Sequence, residues 1–233
     1  MNRQIRILVV EDEEAIRVGL VDVLVYHGYQ VESAASGPAG LEKALSGKFD
    51  LLLLDIMLPG MDGYAICNAI RERDRQLPII MLTARTSDQE IIEGLRLGAD
   101  DYVGKPFSIQ QLVLRIEAVL RRTRIGQEQA RTLNLDGVTI DTENLSGSGN
   151  AGPLVFTRRE IDILVYLAAN SGRPVAREEL LAKVWGYARN LAIETRTVDI
   201  HIAKLRRKIE VDPRQPGNLV TVRGAGYRLN LGQ

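Results

Sequence analysis

The chain has 233 residues, 45% hydrophobic and 26% charged, with a formal net charge of zero, which indicates a soluble globular protein long enough for two ordinary domains. Its single cysteine, Cys67, excludes a framework of internal disulfides. The N-terminal segment opens directly into an apolar strand pattern, and no apolar run approaches the roughly 20 residues that span a bilayer, so we expect a cytoplasmic protein.

Residues 1–122 alternate between short apolar runs and segments with apolar residues at helical spacing. The sequences SDQE and SIQQ fit capping boxes at two helix starts, and Gly28, Gly47 and Gly98 lie where helices are expected to end. The apolar runs predict five strands, at 5–10, 29–35, 50–54, 78–82 and 101–105. Five βα units with strands that are apolar on both sides predict an α/β domain, a (βα)5 doubly wound parallel sheet.

The pattern changes after residues 123–131, which lack an apolar period and predict a linker. Alternation around Asp136 and Gly137 predicts a hairpin. The glycine-rich stretch 146–152 lacks the lysine and the strand-to-helix context of a phosphate loop, so it predicts a solvated turn. Three helices, opening at 157–160 and covering about 177–185 and 196–210, precede two final strands. This order predicts an α+β winged helix-turn-helix domain over residues 132–233.

Polar side chains follow the carboxyl ends of four predicted strands in the first domain. They are Glu11 and Asp12 after the first strand, Asp55 after the third, Thr83 after the fourth and Lys105 after the fifth. Because ligands of a doubly wound sheet bind outside the carboxyl ends of its strands, these side chains should converge. Clustered carboxylates repel unless a cation bridges them, and oxygen ligands without histidine or cysteine favour Mg²⁺ (or Mn²⁺) over zinc.

Such a site can perform phosphoryl chemistry. With the metal bound, Asp55 could attack phosphorus, while Lys105 stabilises charge on the transferring group and Thr83 hydrogen-bonds the product. A dinucleotide site would need a glycine fingerprint after the first strand, where this chain has EDEE. A phosphohydrolase of the haloacid dehalogenase type would carry a second acid two residues after the nucleophile, where this chain has Met57. Both alternatives are therefore less favoured.

The first domain contains, in this order, the motifs VVEDEE, LLLLDIMLPGMDGY, IIMLTAR and GLRLGADDYVGKPF. The second domain contains RTVDIHIAKLRRKIE followed by TVRGAGYRL. Through them the chain resembles, over essentially its whole length, a two-component response regulator of the OmpR/PhoB family. The resemblance implies phosphorylation of Asp55 by a partner histidine kinase, and regulation of its own phosphorylation state rather than enzymatic turnover. It also implies a cis bond between Lys105 and Pro106.

The resemblance also implies the roles of the residues around Asp55. Glu11 and Asp12 match the metal-binding acids, and Met57 is expected to offer its backbone carbonyl to Mg²⁺. Thr83 and Lys105 match the pair that senses the phosphoryl group, and Tyr102 matches the aromatic switch.

In the family, phosphorylation promotes a symmetric dimer through the fourth helix, the fifth strand and the fifth helix of the receiver. Two positions depart from the pattern, since Ile91 and Gln111 stand where relatives often carry an opposite charge pair. The candidate interface residues are Ile92, Leu95, Asp100, Asp101, Arg115 and Arg122.

The third helix of the second domain carries an apolar stripe, which predicts its core-facing side; the stripe comprises Val198, Ile202, Leu205 and Ile209. We expect Thr197, His201 and Lys204 to lie opposite the stripe and reach base edges in the major groove of promoter DNA. Arg206 and Arg207 are expected to meet phosphates, with Arg196 at the flank. Thr221 and Arg223 resemble the wing's phosphate contact and minor-groove arginine, and the segment 185–195 matches the region that meets phosphates or RNA polymerase. A receiver that acts only as a phosphorelay or protein-interaction module is the remaining alternative.

Overall fold

A computed structural model describes residues 4–83, 97–123, 132–149, 152–186 and 196–232, and for residues 121–123 and 196 it describes the backbone alone. The chain divides into two units, Met1–Leu120 and Arg121–Gln233. Of the linker predicted at 123–131, residue 123 ends a helix of the first unit, and residues 124–131 lie outside the described residues, as does the predicted SDQE capping box. Among the described helices, none is long and apolar enough to span a membrane.

The first unit is a parallel sheet with helices packed against it. Its strands are β1 (Arg6–Val10), β2 (Gln30–Ala34), β3 (Leu51–Asp55), β4 (Ile79–Thr83) and β5 (Asp101–Gly104). Its described helices are α1 (Glu14–Tyr26), α2 (Gly37–Ala44), α3 (Gly63–Arg73) and α4 (Ile109–Thr123). The strand order is β2-β1-β3-β4-β5, and every residue of β3 and β4 is buried. The predicted doubly wound parallel sheet is confirmed.

The order of the strands reverses between β1 and β3, because the chain leaves β1 toward β2 on one side and later adds β3 on the other. Both strands end at this point, β1 just before Glu11 and β3 at Asp55. Leucine and valine side chains on both faces fix these strands in the core. The switch point of the sheet, where open α/β sheets bind ligands, therefore carries carboxylates.

The second unit combines a four-stranded antiparallel sheet, three helices and a hairpin. The sheet has the order β6-β7-β8-β9, with β6 (Thr132–Leu135), β7 (Val138–Asp141), β8 (Ser146–Gly149) and β9 (Gly152–Val155). The helices are α5 (Arg158–Ala169), α6 (Arg177–Leu180), which continues as a π-helical segment at Leu181–Trp185, and α7 (Arg196–Ile209). The hairpin pairs β10 (Leu219–Val222) with β11 (Gly226–Leu229). The predicted winged helix-turn-helix outline is confirmed.

The glycine-rich stretch differs from its prediction as a solvated turn. Ser146–Gly149 forms β8 and pairs with β7, with Gly147 opposite Ile140. A Cβ on Gly147 would lie 2.7 Å from the Thr139 carbonyl oxygen and 3.2 Å from the Phe156 ring. Glycine is thus required by close packing against the sheet and the core, a reason that composition alone does not reveal.

Candidate functional site

Three carboxylates meet at the switch point of the first unit. Glu11, Asp12 and Asp55 each offer an oxygen within 4.8 Å of the others. Glu11 is fully buried and Asp55 is 3% exposed, whereas Asp12 is exposed. The structure therefore brings together the three acids that the sequence predicts as a metal site.

Lys105 lies across two of these acids. Its Nζ is 2.7 Å from Glu11 Oε2 and 2.9 Å from Asp55 Oδ2. Burial lowers the pKa of the Lys105 ammonium, but its hydrogen bonds to Glu11 and Asp55 outweigh that effect and raise the pKa. Burial also raises the pKa of Glu11, and the charge of Asp55 adds to this shift while Lys105 opposes it. The side chain of Asp55 is only 5% exposed, and Lys105 Nζ contacts one of its two carboxylate oxygens.

The backbone around the acids is held by further hydrogen bonds. Asp55 Oδ1 accepts the Met57 amide at 3.2 Å, and Glu11 Oε1 accepts the Glu13 amide at 3.4 Å. Arg17, one turn into α1, donates from Nη1 to the carbonyls of Glu11 at 2.8 Å and Asp12 at 2.9 Å. Arg17 thus anchors the main chain of Glu11 and Asp12, which we call the acidic pair.

The donors at this site fit a hard divalent cation. Every grouped side-chain ligand is a carboxylate, and among the described residues no other group of histidine, cysteine or acidic side chains meets the same spacing. Oxygen donors of this kind suit Mg²⁺. Met57, the fourth predicted ligand, follows Asp55 by two residues and is 51% exposed.

Thr83 and Tyr102 lie on neighbouring strands beside the acids. Thr83 ends β4, is 1% exposed, and pairs with Gly104 of β5. Its carbonyl accepts a hydrogen bond from the Lys105 amide at 2.6 Å, so the backbones of the two residues are joined where β4 ends. Tyr102 is half-buried and its carbonyl accepts a hydrogen bond from Arg115 at 3.2 Å. The expected cis bond between Lys105 and Pro106 is confirmed.

Two predicted interface residues of the first unit are corrected by the structure. Asp100 is 5% exposed, and its Oδ2 accepts hydrogen bonds from Arg71 at 2.9 Å and from the Ile79 amide at 2.9 Å. Asp101 is 1% exposed and pairs with Arg115 at 2.9 Å. Both carboxylates therefore have partners within the chain, Asp100 just before β5 and Asp101 at its first residue.

The other predicted interface residues divide into two groups. Arg115 is described and forms that internal pair, while Gln111, the noted departure from the family pattern, is exposed on α4. The remaining positions lie outside the described side chains; they are Ile91, Ile92, Leu95 and Arg122.

The predicted core stripe of α7 is confirmed, since Val198, Ile202, Leu205 and Ile209 are all buried. Two of the predicted base contacts are corrected. Thr197 and His201 are each 2% exposed, and the His201 ring packs edge-on against Trp185 with centroids 5.1 Å apart. Its Nδ1–H donates to the Thr197 carbonyl at 2.9 Å. Burial lowers the pKa of His201 to about 4, so the ring is neutral in the folded protein.

The basic side chains of α7 are partly used inside the unit. Glu160 of α5 is fully buried, 3.5 Å from Lys204 Nζ and 2.6 Å from Lys208 Nζ. Burial raises the pKa of Glu160, but the two lysines outweigh it and hold the pKa below its usual value. Lys204, predicted as a base contact, is therefore drawn toward α5.

The side of α7 that is open to solvent is not the side that was predicted to contact bases. Ala203 and Arg207 are exposed, and Asp199 is half-buried beside them, where it accepts hydrogen bonds from Arg177 at 2.7 Å and the Tyr227 hydroxyl at 2.5 Å. We call Asp199, Ala203 and Arg207 the outer face of α7. Thr221 and Arg223 are exposed on the hairpin. Arg206 is half-buried and donates to the Thr221 hydroxyl at 2.7 Å, while the side chain of Arg196 lies outside the described ones.

Residues 7–117 match the response regulator receiver domain, and residues 151–229 match the C-terminal domain of transcriptional regulatory proteins. The sensory transduction protein RegX3 of Mycolicibacterium smegmatis is 42% identical over 226 residues, covering 96% of this chain and 98% of that protein. The chain belongs to the OmpR/PhoB family of response regulators.

Solved structures of response regulators resemble the whole chain. A RitR mutant covers 98% of this chain and 100% of its own, with a TM-score of 0.76 and 32% identity. The response regulator DrrB, a Thermotoga maritima OmpR/PhoB homologue, covers 97% and 99%, with a TM-score of 0.50 and 30% identity. The protein is accordingly a two-component response regulator and not a classical enzyme.

Sequence reasoning missed several residues that organise this response regulator. Arg17 holds the acidic pair, Arg71 holds Asp100, and Glu160 neutralises two lysines of α7. Each is a charged residue at an ordinary helical position, and its partners are 5 to 48 residues away in the chain. A stricter helical wheel would have found the burial of His201, because a residue three positions from Val198 lies only about 60° from the stripe.

Proposed function

We propose that this response regulator is phosphorylated on Asp55 by a partner histidine kinase. The observation that carries the proposal is the position of Asp55 at the end of β3, with its Oδ2 2.9 Å from Lys105 Nζ and two further acids within 4.8 Å. A carboxylate oxygen of Asp55 attacks the phosphorus of a phosphohistidine. The new O–P bond forms as the N–P bond breaks, and the electron pair leaves on the imidazole nitrogen.

Glu11, Asp12 and Asp55, with the Met57 carbonyl, would hold Mg²⁺ (or Mn²⁺). When bound, the metal supplies positive charge next to the oxygens of the transferring phosphoryl group. Lys105, whose Nζ lies 2.9 Å from Asp55 Oδ2, would supply a second positive charge and would exchange Glu11 for the phosphoryl oxygens. Water attack on the acyl phosphate would return Asp55 and release inorganic phosphate, so the only chemistry proposed is the protein's own phosphorylation and dephosphorylation.

The phosphoryl group would act as a switch through Thr83 and Tyr102. Phosphorylation adds a charge of about −1.5 to −2 and strong acceptor oxygens. A donor such as the Thr83 hydroxyl, buried beside Asp55, is drawn toward those oxygens, and Tyr102 then turns inward. The switch need only bias two existing arrangements of the receiver.

Dimerisation on phosphorylation would use the surface that the family forms from its fourth helix, fifth strand and fifth helix. In this chain the fifth strand is β5, and the family's fifth helix corresponds to α4. Arg115 of α4 contacts both Asp101 and the Tyr102 carbonyl, which supports a link between the switch and this surface. With Asp100 and Asp101 turned inward, the interface would depend more on Ile92, Leu95 and Arg122. The exposed Gln111 adds no charge to it.

The second unit would bind double-stranded promoter DNA. The outer face of α7 would lie in the major groove, and Arg223 at the turn of the hairpin would reach an adjacent minor groove. Arg206 and Thr221, which are hydrogen-bonded to each other, would meet phosphates, as would Arg196 and Lys204. The segment 186–195 would contact RNA polymerase. A protein that binds promoters in this way would act in the cytoplasm.

The proposed domain boundaries are a receiver at 1–122, a linker at 123–131 and a DNA-binding domain at 132–233. The division of the structure after Leu120 supports them.

The phosphoacceptor is tested by mass spectrometry. The full chain is incubated with Mg²⁺ and acetyl phosphate, and wild type is compared with Asp55→Asn. We expect wild type to gain one phosphoryl group on the peptide that contains Asp55 and the variant to gain none. Asp50→Asn, a change of a nearby acid outside the site, is the control and should be phosphorylated like wild type. An equal gain in Asp55→Asn would contradict the proposal.

A further inference from the structure

The residue after α7, Glu210, binds the backbone of the hairpin. Its Oε2 accepts the amides of Gly217 at 2.9 Å and Asn218 at 3.1 Å, and its Oε1 accepts the amide of Leu219 at 2.6 Å. Successive backbone N–H groups that converge on one point form an anion-binding nest. Here the anion is a side chain of the helix that carries the outer face.

Two more side chains tie the same stretch to α7. Asn218 Nδ2 donates to the Ile209 carbonyl at 2.9 Å. Arg206 Nε donates to the Leu219 carbonyl at 2.8 Å, and its Nη2 donates to Thr221 Oγ1 at 2.7 Å. The stretch Gly217–Leu219 is thus held at its three amides by Glu210, and the Leu219 carbonyl is held by Arg206.

This attachment lies at the base of the hairpin, and Arg223 lies at its turn. Leu219 and Arg223 are four residues apart, which is about 13 Å along an extended strand. A small rotation at the base therefore moves Arg223 by several ångströms. The connecting residues 211–215 are exposed, so they do not hold the base of the hairpin by packing. Core burial of Leu219 and Tyr227 holds the body of the hairpin, and the contacts of Glu210 add the attachment of residues 217–219 to the end of α7.

We propose that Glu210 is a positioning residue for DNA recognition. By holding Gly217–Leu219 it sets the distance between the outer face of α7 and Arg223, so that both engage neighbouring grooves of one duplex. This inference rests on the proposed binding of DNA. It predicts an effect opposite in sign to that of an ordinary surface acid, whose removal strengthens binding to a polyanion.

The test uses the duplex that full-length wild type, treated with acetyl phosphate and Mg²⁺, enriches most from a random-sequence library. Affinities for it are measured for wild type, Glu210→Ala, Glu210→Gln, Arg223→Ala and the double variant of Glu210→Ala with Arg223→Ala. Asp212→Asn is the matched control, because it removes a charge two residues away and its carboxylate accepts only the Arg214 amide among the described contacts.

We expect Arg223→Ala to weaken binding about tenfold in wild type but less than about twofold in the Glu210→Ala background, because the wing is already misplaced there. Glu210→Ala alone should weaken binding about tenfold, Glu210→Gln should fall between, and Asp212→Asn should not weaken it. Faster hydrogen exchange at the amides of 217–219 should accompany the loss. If Glu210→Ala does not fold, the same cycle is run with Glu210→Gln.

The possible results distinguish a failure of the positioning role of Glu210 from a failure of the proposed DNA binding. If wild type enriches a duplex but the two substitutions act additively, or if removing the Glu210 charge strengthens binding, the positioning role is wrong. If wild type enriches no duplex, the proposal of DNA binding itself is contradicted, and the positioning role with it.

Discussion

The chemistry of the receiver depends on single charged residues whose partners are far away in the sequence. The acids and Lys105 could be predicted because each follows a strand, and parallel strands bring their carboxyl ends to one edge. The bridge that Lys105 makes between Glu11 and Asp55 could not be predicted, because it depends on side-chain direction after Gly104. The same is true of Asp100, whose partner Arg71 comes from α3.

Replacement of Lys105 by alanine tests how the negative charges of Glu11 and Asp55 are neutralised. Glu11 and Asp55 would lose the ammonium between them, and breaking a buried pair in this way costs about 3 kcal/mol. Added Mg²⁺ should recover more stability in Lys105→Ala than in wild type, because it restores positive charge at the acids. Calorimetric unfolding with and without Mg²⁺ measures both effects. Lys48→Ala, at an exposed lysine, should behave like wild type; an equal Mg²⁺ effect in all three proteins would refute the idea.

His201 makes the second unit sensitive to acid. Its pKa is about 4 in the folded protein, below the ordinary value of 6.5, because the ring is buried. The unfolded chain therefore binds a proton between these values, and stability falls as the pH drops from about 6.5 to about 4, by on the order of 3 kcal/mol. Trp185, the chain's single tryptophan, packs on the ring and reports unfolding by fluorescence.

The control for this pH dependence is the other histidine. His201→Gln should flatten the change in stability over that pH range, whereas His27→Gln, at an exposed position in the first unit, should leave the Trp185 transition unaltered. A pH profile that is the same in His201→Gln as in wild type would show that another group is responsible.

At the scale of elements, binary patterns were sufficient for the parallel sheet, the hairpins and the three helices of the second unit. They were insufficient for β8, because Ser-Gly-Ser-Gly has no alternating apolar face. Its glycine at 147 is needed because Thr139 and Phe156 leave no room for a side chain there. Binary patterns also misplaced Thr197 and His201, because α7 is buried along two flanks, against the core and against Trp185 and α5. A helix packed on two sides has a narrower exposed face than one apolar stripe suggests.

Two helical glycines of the first unit should respond oppositely to alanine. A Cβ on Gly40 of α2 would lie 2.5 Å from Val10 Cγ1, next to the acidic pair, whereas nothing lies within 4 Å of a Cβ on Gly19 of α1. Gly40→Ala should lower the free energy of unfolding by about 1–3 kcal/mol through overpacking. Gly19→Ala should raise it by about 0.5–1 kcal/mol, since alanine favours the helix. Denaturant unfolding of both variants checks the prediction, and equal effects would contradict the packing of α2 on β1.

For the whole molecule, binding to DNA should follow the number of phosphates that basic side chains neutralise. Arg207, exposed on the outer face of α7, is expected to contribute one such contact. Arg207→Ala should then weaken binding to all duplexes and reduce the slope of log K against log salt by about 1. Titrations at several salt concentrations measure the slope, with Arg214→Ala, an exposed arginine in the segment before the hairpin, as the control. An unchanged slope in Arg207→Ala would remove this residue from the interface.

In the whole molecule, phosphorylation of Asp55 should control DNA binding. The most direct measurement compares the affinity of the full chain for its selected duplex before and after treatment with acetyl phosphate and Mg²⁺, in wild type and in Asp55→Asn. We expect treatment to strengthen binding in wild type by about 5- to 150-fold, the usual range of coupling between two sites, and to leave Asp55→Asn unchanged. The same gain in Asp55→Asn, or no gain in a wild-type protein shown to be phosphorylated, would contradict the account.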